Sequence, residues 1–367
     1  MNGVVSQVVD RKISAFIERS LAQIPDEDDL NRLALEIFAY QFEYNPAYRM
    51  FCLQRRMTPD RISSWEHIPA VPATAFKSRC FAGFPPERAV RIFETSGTTQ
   101  AEKGRHYFDT LNLYEESAIP NFSRHLLPDS ARLPMRMLLP PPHEAPASSL
   151  VYMCQTVARM FSENVEWFIH DGRLNIDALC KDLELACETG EYRMLLGTSY
   201  AFVHFFDALR ENRKAFGLPP GSRIMETGGT KGKSREISRE EFSRLTMEFL
   251  GVPDPWIVNE YGMTELTSQM YDNTLRQMVQ SGASGPRVKT PPPWMRVRIV
   301  DPVSGEYQRD GVPGIIRIWD IANRGSAVAI QTDDIGVWET GGLRVAGRVR
   351  GSDSRGCGRA ADEMLSN

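Results

Sequence analysis

Residues 93–108 read FETSGTTQAEKGRHYF. Thr95, Ser96, Gly97, Thr98 and Thr99 stand side by side, and Lys103 and Gly104 follow just beyond. A loop of small hydroxyl residues after the β-like run AVRIFE offers backbone N–H groups and hydroxyl donors with little bulk, which suits an anion. Lys103 adds a positive charge on a flexible stem, which suits phosphate. The Walker spacing GxxxxGKS or GxxxxGKT is absent. On these residues alone, a solvated polar turn accounts for the loop as well as a phosphate site does.

Further polar clusters follow short apolar runs. RMLLG (193–197) leads into Thr198 and Ser199, RIMETGG (223–229) runs into Gly228 and Gly229, and WIVNEYG (256–262) leads into Met263, Thr264 and Glu265. Each apolar run reads as a strand, as does VEWFI (165–169). Between them lie helical patterns: 175–187, 199–212, and ISREEFSRLTMEFLG, where Ser238 and Glu241 are spaced as a capping box and Gly251 marks the end. Strand–helix alternation implies crossovers and a mostly parallel sheet. In such sheets ligands gather at the carboxyl ends of the strands, where these polar clusters fall.

The elements that carry this region are also legible. DEDDLNRLALEIFAYQFEY puts Leu30, Leu33, Ala34, Ile37 and Phe38 on one helical face behind an acidic first turn. The first ~90 residues read as helical, with the prolines of HIPAVPATAFK making an extended connection. After about 280, GIIRIWDI and SAVAIQTDDIGVWE read as short strands joined by turns at Asp301-Pro302, Ser304-Gly305 and Asp310-Gly311. The expected organisation is a helical region over 1–90, a core over 91–346 and a polar, glycine-rich tail over 347–367.

The chain has 367 residues, 42% hydrophobic and 25% charged, with a formal net charge of −4. No broad basic field points to nucleic acid. No run reaches the ~18 apolar residues of a membrane span, and the N-terminus has no secretory h-region; the expected location is the cytoplasm. An oligomeric assembly is left open. Six cysteines show neither CxxC pairs nor a disulfide framework. Cys52, Cys80, Cys154, Cys180 and Cys187 read as small buried apolar residues. His204 lies in the apolar helix AFVHFFDAL and reads as a hydrogen-bonded wall residue. His170 reads as a turn residue. Phe202, Phe205, Phe206 and Tyr200 fit either a ligand pocket or the core.

Taken together, these motifs resemble the ANL family of adenylate-forming enzymes. That family's phosphate loop reads SGTTGxPKG; here Ser96 to Gly104 reads SGTTQAEKG, with Gln100 and Glu102 departing from it. Its YGxTE signature appears as Tyr261-Gly262-Met263-Thr264-Glu265. Gly228 and Gly229 match the segment beside the adenine. YRTGDL is echoed in QTDDIG, with Asp334 on the ribose-binding aspartate, and Gly347-Arg348 matches a GR motif whose arginine approaches the ribose. The resemblance implies an α/β fold: a large adenylate-forming domain of mostly parallel sheets with helices, and a small β-rich layer near the C-terminus. It implies ATP and Mg²⁺ as cofactors. Ser96, Thr98, Thr99 and Lys103 would hold the β- and γ-phosphates. Thr264 would contact the α-phosphate, Glu265 would hold Mg²⁺, and Asp334 would accept from the ribose hydroxyls. Without the family, Glu265 reads as an acid at a helix start and Arg348 as a solvated turn charge.

Most ANL enzymes continue after the GR motif into a mobile lid with a catalytic lysine. The expectation here is a chain without that lid, which disfavours an ordinary two-domain acyl-CoA ligase. The branch that fits is similar to the LuxE-like acyl-protein synthetases, related to phenylacetate-CoA ligases. HIPAVPATAFK resembles that branch's IPxxPxxxFK segment, LLPPPHEAPASSLVYM its SSL-containing segment, and GSDSRGCG its C-terminal GSExRGC. The resemblance implies activation of a carboxylic acid, a fatty acid in that family, to acyl-AMP. The acyl group then moves to a cysteine of the same chain, here Cys357, and on to an acyl-reductase or other acceptor protein. Cys357 sits in RGCGR, where the glycines give reach and Arg355 and Arg359 favour a thiolate. Without the family it reads as an inert tail cysteine. The alternatives are a lidless phenylacetate-type ligase using an external thiol or carrier, a non-catalytic scaffold and, weakest, a phosphotransferase.

Overall fold

The computed structural model describes residues 2–95, 103–228 and 237–348. Ser96, Gly97, Thr98, Thr99, Gly229 and Cys357 lie outside the described residues. The chain divides into two compact units. The first takes the chain up to Pro120, then Met263–Met270, then, among the described residues, Lys289–Arg348. The second takes Asn121–Gly262 and Tyr271–Val288.

The second unit holds the alternating region. Its strands Val165–Trp167, Met135–Leu138, Met194–Thr198, Arg223–Thr227 and Ile257–Tyr261 lie side by side in that order, all parallel. The helices between them end where local chemistry ends them. Ser238 Oγ accepts from Glu241 N at 3.1 Å to start the helix Arg239–Leu250, and Gly251 closes it at φ 67°. Asn175 caps Ile176–Thr189 in the same way. Phe202, Phe205, Phe206 and Leu209 of the helix Ser199–Glu211 are buried with Phe242, Leu245 and Phe249 against Leu195, Ile224 and Ile257. These phenylalanines are core. His204, expected as a wall residue, is exposed on the outer side of that helix, because the apolar stripe is already complete without it.

The chain steps from Met135–Leu138 to Val165–Trp167 on one side, then to Met194–Thr198 on the other. Such a reversal of direction leaves a crevice at the strand carboxyl ends. There the two strands approach closely: a Cβ on Gly197 would meet Leu138 Cβ at 2.8 Å.

The first unit combines both ends of the sequence. Asp26 accepts from Asp28 N to start the helix Glu27–Tyr44, and Asn45 caps the next helix, Pro46–Gln54, by accepting from Tyr48 N at 3.1 Å. Helix ends at Gln54. HIPAVPATAFK, read as extended, is instead a two-residue strand, Val71–Pro72, followed by a 3₁₀ turn, Ala73–Lys77. That strand pairs with Ala329–Glu339 and buries Phe76, a long-range gain that prolines in sequence do not announce. The late strands Met295–Val300, Gly314–Asp320, Ala329–Glu339 and Gly342–Arg348 form an antiparallel run. The turns fall at the expected pairs: Asp301 Oδ1 accepts from Val303 N and Ser304 N at 2.8 Å, and Gly305 and Gly311 hold positive φ.

The helices and this sheet are joined by buried polar side chains. Gln41 Nε2 donates to Asn323 O and Arg324 O while its Oε1 accepts from Val328 N. Asn45 Nδ2 donates to Ser326 O at 3.0 Å. Arg324, buried, is held by Asp10 and Asp109. A buried charge with two carboxylate partners is tolerated, whereas removing one partner leaves a costly orphan.

Among the described residues, Cys52, Cys154 and Cys180 are buried as expected, but Cys80 and Cys187 are exposed. No described helix is long and apolar enough to cross a membrane.

Candidate active site

The residues flanking the SGTTQAEKG motif form a hairpin. Arg91–Glu94 pairs antiparallel with Arg105–Phe108, Arg91 opposite Phe108 and Glu94 opposite Arg105. Thr95 N donates to Gly104 O at 2.9 Å, and Gly104 N donates to Thr95 Oγ1 at 2.8 Å. Thr95 and Gly104 are therefore fixed against each other. Gly104 is required by close approach, since a Cβ there would lie 3.1 Å from Thr95 Cγ2 and 3.4 Å from Phe76 Cβ. Lys103 is half-exposed, 3.4 Å from Glu94 Oε2, and Arg105 shares the same carboxylate at 3.1 Å. An exposed pair of this kind contributes little to stability, so Lys103 is available to an anion at small cost.

The Met263–Met270 segment reaches this hairpin within the first unit. Thr264 Oγ1 lies 3.5 Å from Glu94 O. His106 Nδ1 donates to Thr264 O at 2.8 Å, and Asn323 Nδ2 donates to Glu265 O at 2.9 Å. Thr264 and Glu265 are both buried. Further along, Asp320 Oδ2 accepts from Thr267 N at 2.9 Å and Ser268 N at 2.8 Å, and Oδ1 accepts from Ser268 Oγ at 2.7 Å. Burial pushes the Asp320 carboxyl up, against the pull of these bonds. Burial pushes His106 down to about 4, so its imidazole is neutral at pH 7 and its Nδ1 carries the proton that Thr264 O accepts. A turn thus clamped on its backbone holds its side chains in one place, which is what electrostatic catalysis needs.

Asp334 and Arg348 face one another across the last hairpin, with Arg348 Nε donating to Asp334 Oδ1 at 2.5 Å. Alternation along Ala329–Glu339 puts Asp334 on the buried face with Thr332, whose Oγ1 accepts from Asp334 N at 3.0 Å, and turns Asp333 to the other face.

In the second unit, Thr227-Gly228 and Tyr261-Gly262 end adjacent parallel strands, Thr227 opposite Glu260. Gly228 has φ 80° and its carbonyl accepts from Ser199 Oγ at 3.0 Å. Two buried carboxylates stand just before these glycines. Glu226 takes bonds from Ser199 Oγ, Asn259 Nδ2 and Arg239 Nη1; Glu260 takes one from Thr227 Oγ1. They fix the turns at the strand ends.

The structure thus brings Lys103, Thr264 and Glu265 together around one hairpin, and pairs Asp334 with Arg348. Gly228, Tyr261 and Gly262 belong to the other unit. Sequence reasoning missed His106, Asn323, Asp320 and Glu226. The one available signal was a charged or polar residue inside or beside an apolar run, as in GIIRIWDI and RIMET.

Among the described residues no cluster of three or more His, Cys, Asp or Glu could hold a metal by itself. A buried carboxylate such as Glu265 fits Mg²⁺, which takes one or two carboxylates and fills its remaining positions with substrate phosphates and water.

Residues 16–366 match the family described as "Acyl-protein synthetase, LuxE". Two long-chain-fatty-acid–luciferin-component ligases, from Aliivibrio fischeri and Vibrio harveyi, are 20% and 22% identical over 311 residues, covering 84% of this chain and 78% of theirs. Among solved structures, an open conformation of 2-hydroxyisobutyryl-CoA ligase with its acyl-AMP and CoA aligns at a TM-score of 0.65 and 12% identity, over 90% of this chain and 77% of that one. The same enzyme in its thioesterification state aligns at 0.62 and 13% identity, over 92% of this chain and 67% of that one. These structural likenesses show the fold, the expected α/β fold of adenylate-forming enzymes. With the family match over nearly the whole sequence, the chain belongs to the LuxE family of acyl-protein synthetases, ligases that activate an acid by adenylation and transfer the acyl group.

Proposed function

We propose that this chain converts a fatty acid and ATP to acyl-AMP and pyrophosphate, then moves the acyl group to the thiol of its own Cys357 for delivery to an acyl-reductase or similar acceptor protein. The observation that carries the first half is the clamped Met263–Met270 turn. It sets Thr264 and Glu265 beside the hairpin that bears Lys103.

In the first step a carboxylate oxygen attacks the α-phosphorus, and the bond to pyrophosphate breaks with its electron pair on the leaving oxygen. The carboxylate is already ionised at pH 7, so no base is needed. Positioning and charge stabilisation therefore supply the rate. Lys103, with Ser96, Thr98 and Thr99, binds the β- and γ-phosphates; Thr264 orients the α-phosphate; Glu265 holds Mg²⁺. When bound, Mg²⁺ neutralises charge on the phosphate oxygens. Gly228, Tyr261 and Gly262 offer backbone at strand ends for the adenine, and Gly229 joins them in that role. Asp334 accepts from the ribose hydroxyls, with Arg348 holding its carboxylate. In the second step the Cys357 thiolate attacks the acyl carbonyl, a thioester forms, and AMP leaves with the electrons of the C–O bond.

Intact-protein mass after incubation with ATP, Mg²⁺ and a panel of carboxylic acids tests both halves. One acyl group, labile to hydroxylamine, is expected on the wild type. Cys357→Ser should keep ATP–pyrophosphate exchange and lose the label, because a serine hydroxyl is a poor nucleophile without a base. Efficient acylation of free CoA by Cys357→Ser would instead favour an external thiol acceptor. A label on Cys154, Cys180 or Cys187 would move the acceptor.

A further inference from the structure

Within the first unit, the helix Pro46–Gln54 and the segment 75–86 enclose a groove of about 700 Å³. Met50, Phe51, Phe81, Phe84, Pro85 and Pro86 make its walls. The apolar surface does not stop at the groove. Met50 is 54% exposed, and Leu53, one turn along the same helix, is 53% exposed outside it. Exposed apolar side chains continuing out of a cavity suit a ligand longer than a small molecule.

The rim is basic. Arg79 lines the groove and Arg88 stands two residues beyond Pro86. Arg55 lies over the Phe51 ring at 3.7 Å. All three are exposed, and none has an ion-pair partner among the described residues. Of the acids nearby, Glu43 faces Arg49 at 3.6 Å, and Glu87 is the one exposed beside Pro86. A single fatty carboxylate would occupy one arginine; one in the groove lining and two within two residues of it match several acidic side chains at once.

We infer that this groove docks an acidic amphipathic helix of a second protein, its apolar face on Met50, Phe51 and Phe84 and its acids on Arg55, Arg79 and Arg88. The position suits a protein that exchanges an acyl group with this chain. Phe81 of the groove wall contacts the Phe76 ring at 4.8 Å, Phe76 contacts His106 at 6.3 Å, and His106 holds Thr264. A docked helix sits a few side chains from the candidate site. The surface deepens the partner delivery proposed above, yet its test does not depend on acyl transfer.

The probe is an 18-residue fluorescent peptide with leucines at i, i+3, i+4 and i+7 spacing and glutamates elsewhere, with a twin carrying lysines for the glutamates. Against the full chain the glutamate peptide should bind at least about tenfold tighter than its twin and weaken with added salt. It should slow N-ethylmaleimide labelling of Cys80, which lines the groove, and leave the exposed Cys187 unaffected. Met50→Asp and the triple change Arg55→Glu, Arg79→Glu, Arg88→Glu should each abolish binding and preserve ATP–pyrophosphate exchange. Equal binding of both peptides overturns the inference, as does unchanged Cys80 labelling. Protection of Cys80 by a saturated fatty acid alone would make the groove an acyl site, and protection by self-association would assign it to a second copy; either result also overturns it. Loss of exchange in the wild type would sink the adenylation reading and leave this one standing.

Discussion

Asp320→Asn is the sharpest probe of how the turn carrying Thr264 and Glu265 is held. The wild-type carboxylate is fully buried and accepts from Thr267 N, Ser268 N and Ser268 Oγ, and from Ala322 N at 3.2 Å. Asparagine keeps one acceptor oxygen. Set toward Thr267 N and Ser268 N, it retains both backbone bonds without charge, while its NH₂ then faces Ala322 N. Hydrogen bonds to a charged group contribute about 1.5–3 kcal/mol against about 1 for neutral ones, and an unmatched buried N–H costs about 1–3 kcal/mol. The sum is a loss of roughly 2–4 kcal/mol, part of it felt as instability and part as a displaced turn. Small displacements of a catalytic element are expensive in rate, so ATP–pyrophosphate exchange by the folded variant should fall about tenfold or more. The assay pairs urea unfolding with exchange rates measured where the variant is fully folded. Asp320→Ala should be worse on both counts. If the variant loses stability but its folded fraction exchanges at the wild-type rate, Asp320 serves the fold alone and the clamp argument fails.

Glu265→Gln should cut exchange by about 10²-fold, the scale of one well-placed electrostatic element, and raise the Mg²⁺ concentration needed for half-maximal rate; an unaltered Mg²⁺ dependence would remove it from the metal site. Asp334→Ala should raise the KM for ATP more than that for the acid, because the ribose loses a charge-assisted acceptor, and equal changes in both would count against the ribose role. His106 and His125 are buried and pushed down to about 4, whereas in the unfolded chain they titrate near 6.5. Between those values the unfolded state binds more protons, so stability falls as pH drops from about 6.5 toward 4, by up to about 3 kcal/mol for each histidine. A urea midpoint that stays level from pH 7 to pH 5 would contradict it.

What could be read from sequence was what is written locally. The cap at Ser238, the stop at Gly251 and the helical patterns over 175–187 and 199–212 all rest on signals within a few turns, and the structure has helices Ile176–Thr189, Ser199–Glu211 and Arg239–Leu250 there. The alternation of strand and helix carried the parallel sheet with it, because crossover connections allow little else. The failures share an opposite cause. Val71–Pro72 is a strand only because Ile330 and Gln331 pair with it, and Phe76 is buried only because His106 and Phe81 lie over it. Cys80 is exposed because the groove beside it is open, a fact of tertiary shape.

The same distinction separates the residues proposed to touch substrate from those that hold them. Lys103, Thr264, Glu265 and Asp334 stand in short motifs, since a phosphate or a ribose is met by a few adjacent atoms. His106, Asn323 and Asp320 act across 158, 58 and 52 residues of sequence, so no local spacing links them to the turn they fix. Each nevertheless leaves a trace. His106 alternates onto the buried face of RHYF, and Asp320 closes the apolar strand GIIRIWD. A charged or imidazole group placed where an apolar one would be cheaper must have buried partners. In this chain those partners are the backbone groups of the turn that bears Thr264 and Glu265. The folding cost of burying them is offset where the chemistry requires a rigid turn.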